Sequence, residues 1–235
     1  MTRLAYATWR SGPGWKRGYG GTSWLPMSYK EGEVKHSAEG GLAAAFGVLD
    51  SPHREASWHF TLPKQGPVRY YQHYELEDIC WHCGVPGDER HDTSYVGNIT
   101  LIGSEHEGVA GEPLTPWQVE NTILLSRELR KVLPNYGNQV LQLRRNLWEH
   151  GWLSNTSCPS GRIPWQPIIA ALVEEVDMPL TAADLQEIRK VIREELNDIQ
   201  ERCGVNDAGV SMPSLKDLKT LGEQTKQLME SHHHP

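Results

Sequence analysis

The sequence predicts an α/β domain, and three observations point there. Segments of strand character alternate with segments of helical period up to about residue 176. One β-branched, apolar run, "SYVGNITLIGS" (94–104), has the character of a central strand. One helix start carries a complete capping signal. The chain has 235 residues, enough for one sizeable domain plus an appendage. Hydrophobic residues make up 38% and charged residues 23%, the balance of a folded chain rather than a disordered one.

Residues 1–27 are rich in Gly, Trp, Arg and Tyr without a period, which predicts an extended arm packed on the domain. "SYKEGEVKHS" (28–37) predicts a short strand and "EGGLAAAFGVLDS" (39–51) a helix. "ASWHFTLP" (56–63) and "GPVRYYQHY" (66–74) flank a turn at Lys64, Gln65 and Gly66, so they predict a hairpin. In "LTPWQVENTILLSRELRKVL", Thr115 can be the N-cap, Pro116 takes the first helical position and Gln118 completes a capping box. Ile123, Leu124, Leu125, Leu129 and Val132 then supply the apolar stripe. "PWQPIIAALVEEV" (164–176) closes a main domain of residues 28–176. Beyond it, residues 177–235 predict a helical C-terminal region. Leu185, Ile188, Ile192, Leu196 and Ile199 form a narrow stripe, so a helix over 181–203 can dock on the domain or pair with a second copy as a homo-oligomer.

The formal charge is −7, with 16 Lys/Arg against 19 Asp/Glu in residues 1–175 (−3) and 7 against 11 in residues 176–235 (−4). That balance argues against a nucleic-acid binder, which needs a basic face. No apolar run reaches the ~18 residues of a membrane span, so no membrane insertion is expected. "MTRLAYATWRSGPGWKRGYGG" has no continuous apolar core, so it does not read as a secretory signal, and synthesis in the cytoplasm is expected. Four cysteines in a chain of this length do not suggest a disulfide framework. Nine Trp against two Phe suits part-apolar, part-wet sites such as carbohydrate or peptide grooves, and equally an ordinary core and its rim.

"HGWLSNTSCPSGRIPW" (150–165) places His150 and Cys158 eight positions apart in one loop. His36 ends the strand predicted over 28–37, beside a Glu and a Gly pair, where it can point into a cleft. Together these three make a His2Cys donor set, the kind that holds catalytic zinc with one position open; with Cys158 as thiolate the site carries +1. Taken singly, each has a plainer reading, a hydrogen-bonded histidine or a small buried cysteine. "CWHC" (80–83) lacks the second Cys pair of a zinc ribbon and the surroundings of a redox motif, so Cys80 and Cys83 read as structural, able to pair in an oxidising medium. The closing "HHHP" can bind stray metal weakly.

"VKHSAEG", "ASWHF", "GPVRYYQH", "CWHCG", "TLIG", "LTPWQ" and "EHGWLSNTSCPSGRIPW" occur in an order that resembles the type-2 N-acetylmuramoyl-L-alanine amidases, relatives of the peptidoglycan recognition proteins, over about residues 28–175. The resemblance implies a mixed central sheet flanked by helices and one Zn2+ on His36, His150 and Cys158. It implies hydrolysis of the amide between N-acetylmuramic acid and L-alanine in peptidoglycan, as in a phage endolysin acting on the wall after release. Thr156 takes the place of the family's oxyanion-stabilising residue; loss of one such donor costs roughly 10²–10³ in rate. Trp58 stands where several members have a Tyr, and Thr100 where others have a Glu on the central strand. The general base is therefore open among His59, Glu39 and His82. Trp58, Trp81 and His82 are expected to line the groove. A peptidoglycan-binding module without catalysis is the competing reading, and a scaffold assembled through the tail a third.

Overall fold

A computed structural model describes residues 2–87 and 96–174. Its strands are β1 (Ala7–Trp9), β2 (Gly32–Ser37), β3 (Phe60–Leu62), β4 (Tyr70–Gln72), β5 (Leu101–His106) and β6 (Leu147–Glu149). Its helices are α1 (Leu42–Asp50), α2 (Pro116–Val132), the single turn α3 (Pro134–Gly137) and α4 (Trp165–Glu174). The strands form one mixed sheet in the order β1-β4-β3-β5-β2-β6. β3, β5, β2 and β6 run parallel, β4 runs against β3, and β1 follows β4 in parallel.

Alternation along the strands divides the sheet into two faces. Phe60, Leu62 and Ile102 turn to one face and pack with Leu125 and Leu129 of α2 and Ile168 and Leu172 of α4 in the main core. Fully burying each such side chain contributes about 1.5–3 kcal/mol. On the other face, Val34 and Leu101 pack with Val96, and a smaller cluster joins Ala45 and Leu49 of α1 to Trp58, Tyr74 and Cys80. α2 starts as its capping signal predicts: the Thr115 hydroxyl accepts from the Gln118 N–H at 3.1 Å, and Gln118 Oε1 accepts from the Thr115 N–H at 3.2 Å.

β2 is flanked by β5 and β6 and is buried along its whole length. Its core face nevertheless carries charge. Lys35 Nζ meets Glu33 Oε2 at 2.6 Å, and the other Glu33 oxygen accepts from Ser126 and Tyr136 at 2.5 and 2.8 Å. A carboxylate so placed is tolerated only while its partners remain.

Several elements depart from the sequence expectations. The arm over 1–27 does more than lie on the domain: it contributes β1 to the sheet edge and bridges to the 78–80 segment. The strand expected over 94–104 starts at Leu101; Thr100 lies in the preceding turn, buried, its hydroxyl accepting from Gly97 N–H at 3.2 Å. β6 was not anticipated. Cys80 and Cys83 are free, buried thiols. The helix expected over 181–203 lies outside the described residues.

Lys35→Met should destabilise the fold by about 3–5 kcal/mol, because it strands the Glu33 carboxylate, and chemical denaturation will measure it. Acid should weaken the fold through His73. Its Nδ1–H donates to Arg10 O at 2.7 Å and its Nε2 accepts from Thr61 at 2.8 Å, and burial lowers its pKa to about 4. A depressed folded pKa means the unfolded chain takes up the proton first. Stability contributed by neutral His73 is therefore complete above about pH 6.5 and is lost as pH falls toward 4. Thermal melts across that window should fall, and fall less in His73→Gln.

Candidate active site

The parallel register brings three elements to one level of the sheet. His36 on β2 pairs with Glu105 on β5, and Lys35 pairs with Glu149 on β6, so the residue after β6, His150, comes level with His36. Register partners share a face, so Glu105 and His36 project to the same side. The chain then makes a short 3-10 turn, His150–Trp152, and loops back until Gly151 N–H donates to Cys158 O at 2.6 Å. The ligand atoms of His36, His150 and Cys158 all lie within 4.8 Å of one another.

This trio fits a zinc ion. His36 is fully buried, its Nε2 has no partner among the described residues, and its Nδ1 has only the Cys158 sulfur, 4.0 Å away. A buried ring with no hydrogen bond of ordinary length is costly unless a cation takes its lone pair. Burial lowers the pKa of His36, with His82 and His150 adding to the effect, and burial lowers that of His150, so both rings offer neutral nitrogen. Burial, then Glu105, pushes the Cys158 thiol up to about 12, so a metal must displace its proton. The backbone already favours the thiolate: Ser37 N–H donates to Cys158 Sγ at 3.2 Å. Two imidazoles and a thiolate are donors that suit zinc.

Arg162 locks the Cys158 loop to the strand ends. Its Nε donates to Glu112 O at 2.8 Å, Nη1 to Ser37 Oγ at 2.7 Å and His106 O at 3.2 Å, and Nη2 to Glu107 O at 2.9 Å. The guanidinium passes so close to Gly108, at φ +130, that any side chain there would collide with it.

Glu105 is the acid that sequence reasoning missed. Its Oε2 is buried without a partner among the described residues, and burial, then Glu39, raises its pKa to about 8. The resemblance put Thr100 where others of the family have a Glu on the central strand; with β5 beginning at Leu101, Thr100 lies in the preceding turn and the acid of "SEHEG" falls beside His36.

Beside the trio opens a cleft of about 620 Å³ lined by Gly18, Tyr19, Trp81, His82, Asn98 and His150, among others. The His82 ring lies against Gly103, where a Cβ would come within 2.6 Å of it, and its centroid is 5.4 Å from that of His36. His82 Nε2–H donates to Leu101 O at 3.2 Å, and Nδ1 is left as a buried acceptor without a partner among the described residues. Asn98 Oδ1 holds this turn by accepting from His82 and Cys83 N–H, both at 2.9 Å. Trp81 is half-buried at the cleft wall, its indole N–H donating to Gly18 O at 2.6 Å. Thr156 is exposed in the Cys158 loop, and its hydroxyl accepts from Cys158 N–H at 3.3 Å.

The other sequence candidates sit elsewhere. Trp58 is 3% exposed, packs in the α1 cluster and donates to Thr61 Oγ1 at 2.8 Å, so it does not line the cleft. His59 is buried with Nε2 against Asp78 O at 3.1 Å and Nδ1 accepting from Gly103 N–H at 3.1 Å, which leaves no nitrogen for a substrate proton. Glu39 is exposed and accepts from Ala110 N–H at 3.0 Å.

A sequence profile of the N-acetylmuramoyl-L-alanine amidase family matches residues 31–161, more than half of the chain. No curated protein sequence matches it. Among solved structures, AmpD, as a selenomethionine derivative, is similar with a TM-score of 0.53 and 20% identity, over 72% of this chain and 96% of that one. AmpDh3 from Pseudomonas aeruginosa in complex with anhydromuramic pentapeptide gives 0.50 and 19%, over 80% and 78%. The endolysine LysCS from Clostridium intestinale URNW gives 0.47 and 20%, over 73% and 97%. The mixed sheet with its helices is the fold of these amidases.

Arg162→Lys should lower stability by about 2–4 kcal/mol, since an ammonium cannot reach four acceptors on three segments. Thermal unfolding of the metal-free protein will measure this. Competition against a zinc chelator should show weaker zinc binding in the same variant.

Proposed function

Because the chain belongs to the N-acetylmuramoyl-L-alanine amidase family, we propose that its cleft hydrolyses the amide between the lactyl group of N-acetylmuramic acid and L-alanine in peptidoglycan, with zinc on His36, His150 and Cys158. The observation that carries this reading is the row Glu105–His36–His150 across three adjacent strands, closed by Cys158. It unites a metal-binding donor set with a buried carboxyl and an open cleft. When bound, zinc would polarise the scissile carbonyl and make water more acidic.

The chain's own residues account for the rest. Glu105, with one oxygen unpartnered and its pKa raised to about 8, is suited to accept a proton from the attacking water and pass it to the leaving nitrogen. Water oxygen bonds to the carbonyl carbon, the C–N bond breaks, and the products are a lactyl carboxylate and the free amine of L-alanine. The Thr156 hydroxyl, which accepts from Cys158 N–H, keeps its own O–H to donate to the developing oxyanion in this reading. His82 Nδ1 accepts an N–H or O–H of the substrate, and Trp81 packs beside it. Glu105 takes the base role that the sequence left open among His59, Glu39 and His82. Such a reaction detaches stem peptides from glycan strands, and an endolysin role at the cell wall is the setting this reading favours.

Glu105→Gln should lower kcat by about 10²–10⁴ while zinc content is retained. The assay is release of new L-alanine amino termini from purified sacculi. Wild-type turnover with the Gln variant equally active would remove Glu105 from the mechanism; no release by wild type from any wall type would sink the amidase reading.

A further inference from the structure

We infer that the N-terminal arm builds a second saccharide-binding cavity around Trp24, next to the cleft at His150 but distinct from it. The cavity has a volume of about 500 Å³, in the range of small-ligand sites, and is lined by Trp9, Trp24, Tyr74, Arg17, Glu75 and Asp78 among others. Its arm residues, 9–24, precede the stretch at 31–161 that the family profile matches.

The wall is preformed. Gly18 N–H donates to Ile79 O and Leu25 N–H to Glu77 O, both at 2.8 Å, and Ile79 N–H donates back to Ser23 O at 3.1 Å. Trp24 bridges to Asp78 and Arg17 to Cys80 in the same antiparallel run. On this braced segment Trp24 is 58% exposed. Trp24 thus presents a large, rigid apolar face at the cavity wall that the apolar face of a ligand can cover.

The polar lining selects the chemistry. Asp78 pairs with Arg17 at 2.7 Å, Glu75 with Arg3 at 3.4 Å, and Glu77 accepts from the Thr2 hydroxyl at 3.0 Å and the Thr2 N–H at 3.2 Å, so each lining carboxylate already has a partner. Glu75 Oε2 remains, buried and without a partner among the described residues. It can accept a hydrogen bond from a neutral donor. A pyranose fits this lining, with apolar C–H faces for Trp24 and O–H or N–H donors for Glu75, here an N-acetylated sugar of the glycan strand. The choice of that sugar rests on the peptidoglycan reading above.

Position supports the same ligand. Arg17 lines this cavity and Gly18 lines the cleft at His150. One segment of the arm therefore contributes to both. An extended glycan strand can rest one sugar at Trp24 while the chain continues to the cleft. The arm then holds polymeric wall beside the catalytic groups, which a short muramyl peptide does not require.

The test is calorimetric titration of the full chain with chitotetraose, a peptide-free N-acetylglucosamine oligomer. Wild type should bind it, Trp24→Ala should weaken binding about tenfold or more, and Trp15→Ala, an equally exposed Trp that does not line the cavity, should leave binding unchanged. Near-ultraviolet circular dichroism checks that both variants are folded. No binding by wild type, binding indifferent to Trp24→Ala, or displacement by an L-Ala-D-Glu-L-Lys peptide would overturn the inference. Amidase assays on wild type separate the two claims. Trp24-dependent sugar binding without hydrolysis leaves the cavity and removes the reaction; hydrolysis without sugar binding does the reverse.

Discussion

The parallel pairing of β2 with β5 is the constraint on which the site depends. It sets His36 and Glu105 side by side on one face and, through β6, brings His150 to the same level. A one-residue slip of β2 against β5 would turn His36 toward α2 and bring Lys35 to the cleft beside Glu105 in its place. The register is held from the core side, where Lys35, Ser126 and Tyr136 surround Glu33 and where His106 Nε2 lies 3.0 Å from Thr122 of α2. The polar residues on the core face of β2 therefore fix those on its other face.

The ligand loop obeys a second constraint. Cys158 belongs to no strand or helix, yet it must face two histidines carried by strand ends. Arg162 resolves this by binding three carbonyls and a hydroxyl from segments that the sheet has already fixed. Ser37 sits at the junction: its hydroxyl accepts from Arg162 and its N–H donates to the Cys158 sulfur. Loop and strand end are thus coupled by hydrogen bonds of their own, which limits the freedom of the Cys158 loop.

What could be read from the sequence follows from how local each signal is. α2 was legible to its first residue because Thr115, Pro116 and Gln118 act within one turn. The grouping of His36, His150 and Cys158 was legible through their residue types and the resemblance to a family, not through spacing. β1 and β6 have three residues each and take their identity from neighbours far along the chain, so no local pattern announces them. Glu105 was hidden because Gly103 and Ser104 read as the end of a strand, whereas the strand runs on through the acid to His106. Trp58 and His59 were misplaced for a related reason: "SWHF" gives the residues but not the face, and both are enclosed by α1, β4 and the 78–82 segment.

The central claim, that His36, His150 and Cys158 form a metal centre beside Glu105, is tested most directly by anomalous diffraction at the zinc absorption edge. Crystals should be grown with zinc from a chain lacking His232, His233 and His234. The account predicts one strong peak at about 2.0–2.3 Å from one nitrogen of His36, one of His150 and the Cys158 sulfur. No peak there, or zinc bound only elsewhere on the chain, would contradict it.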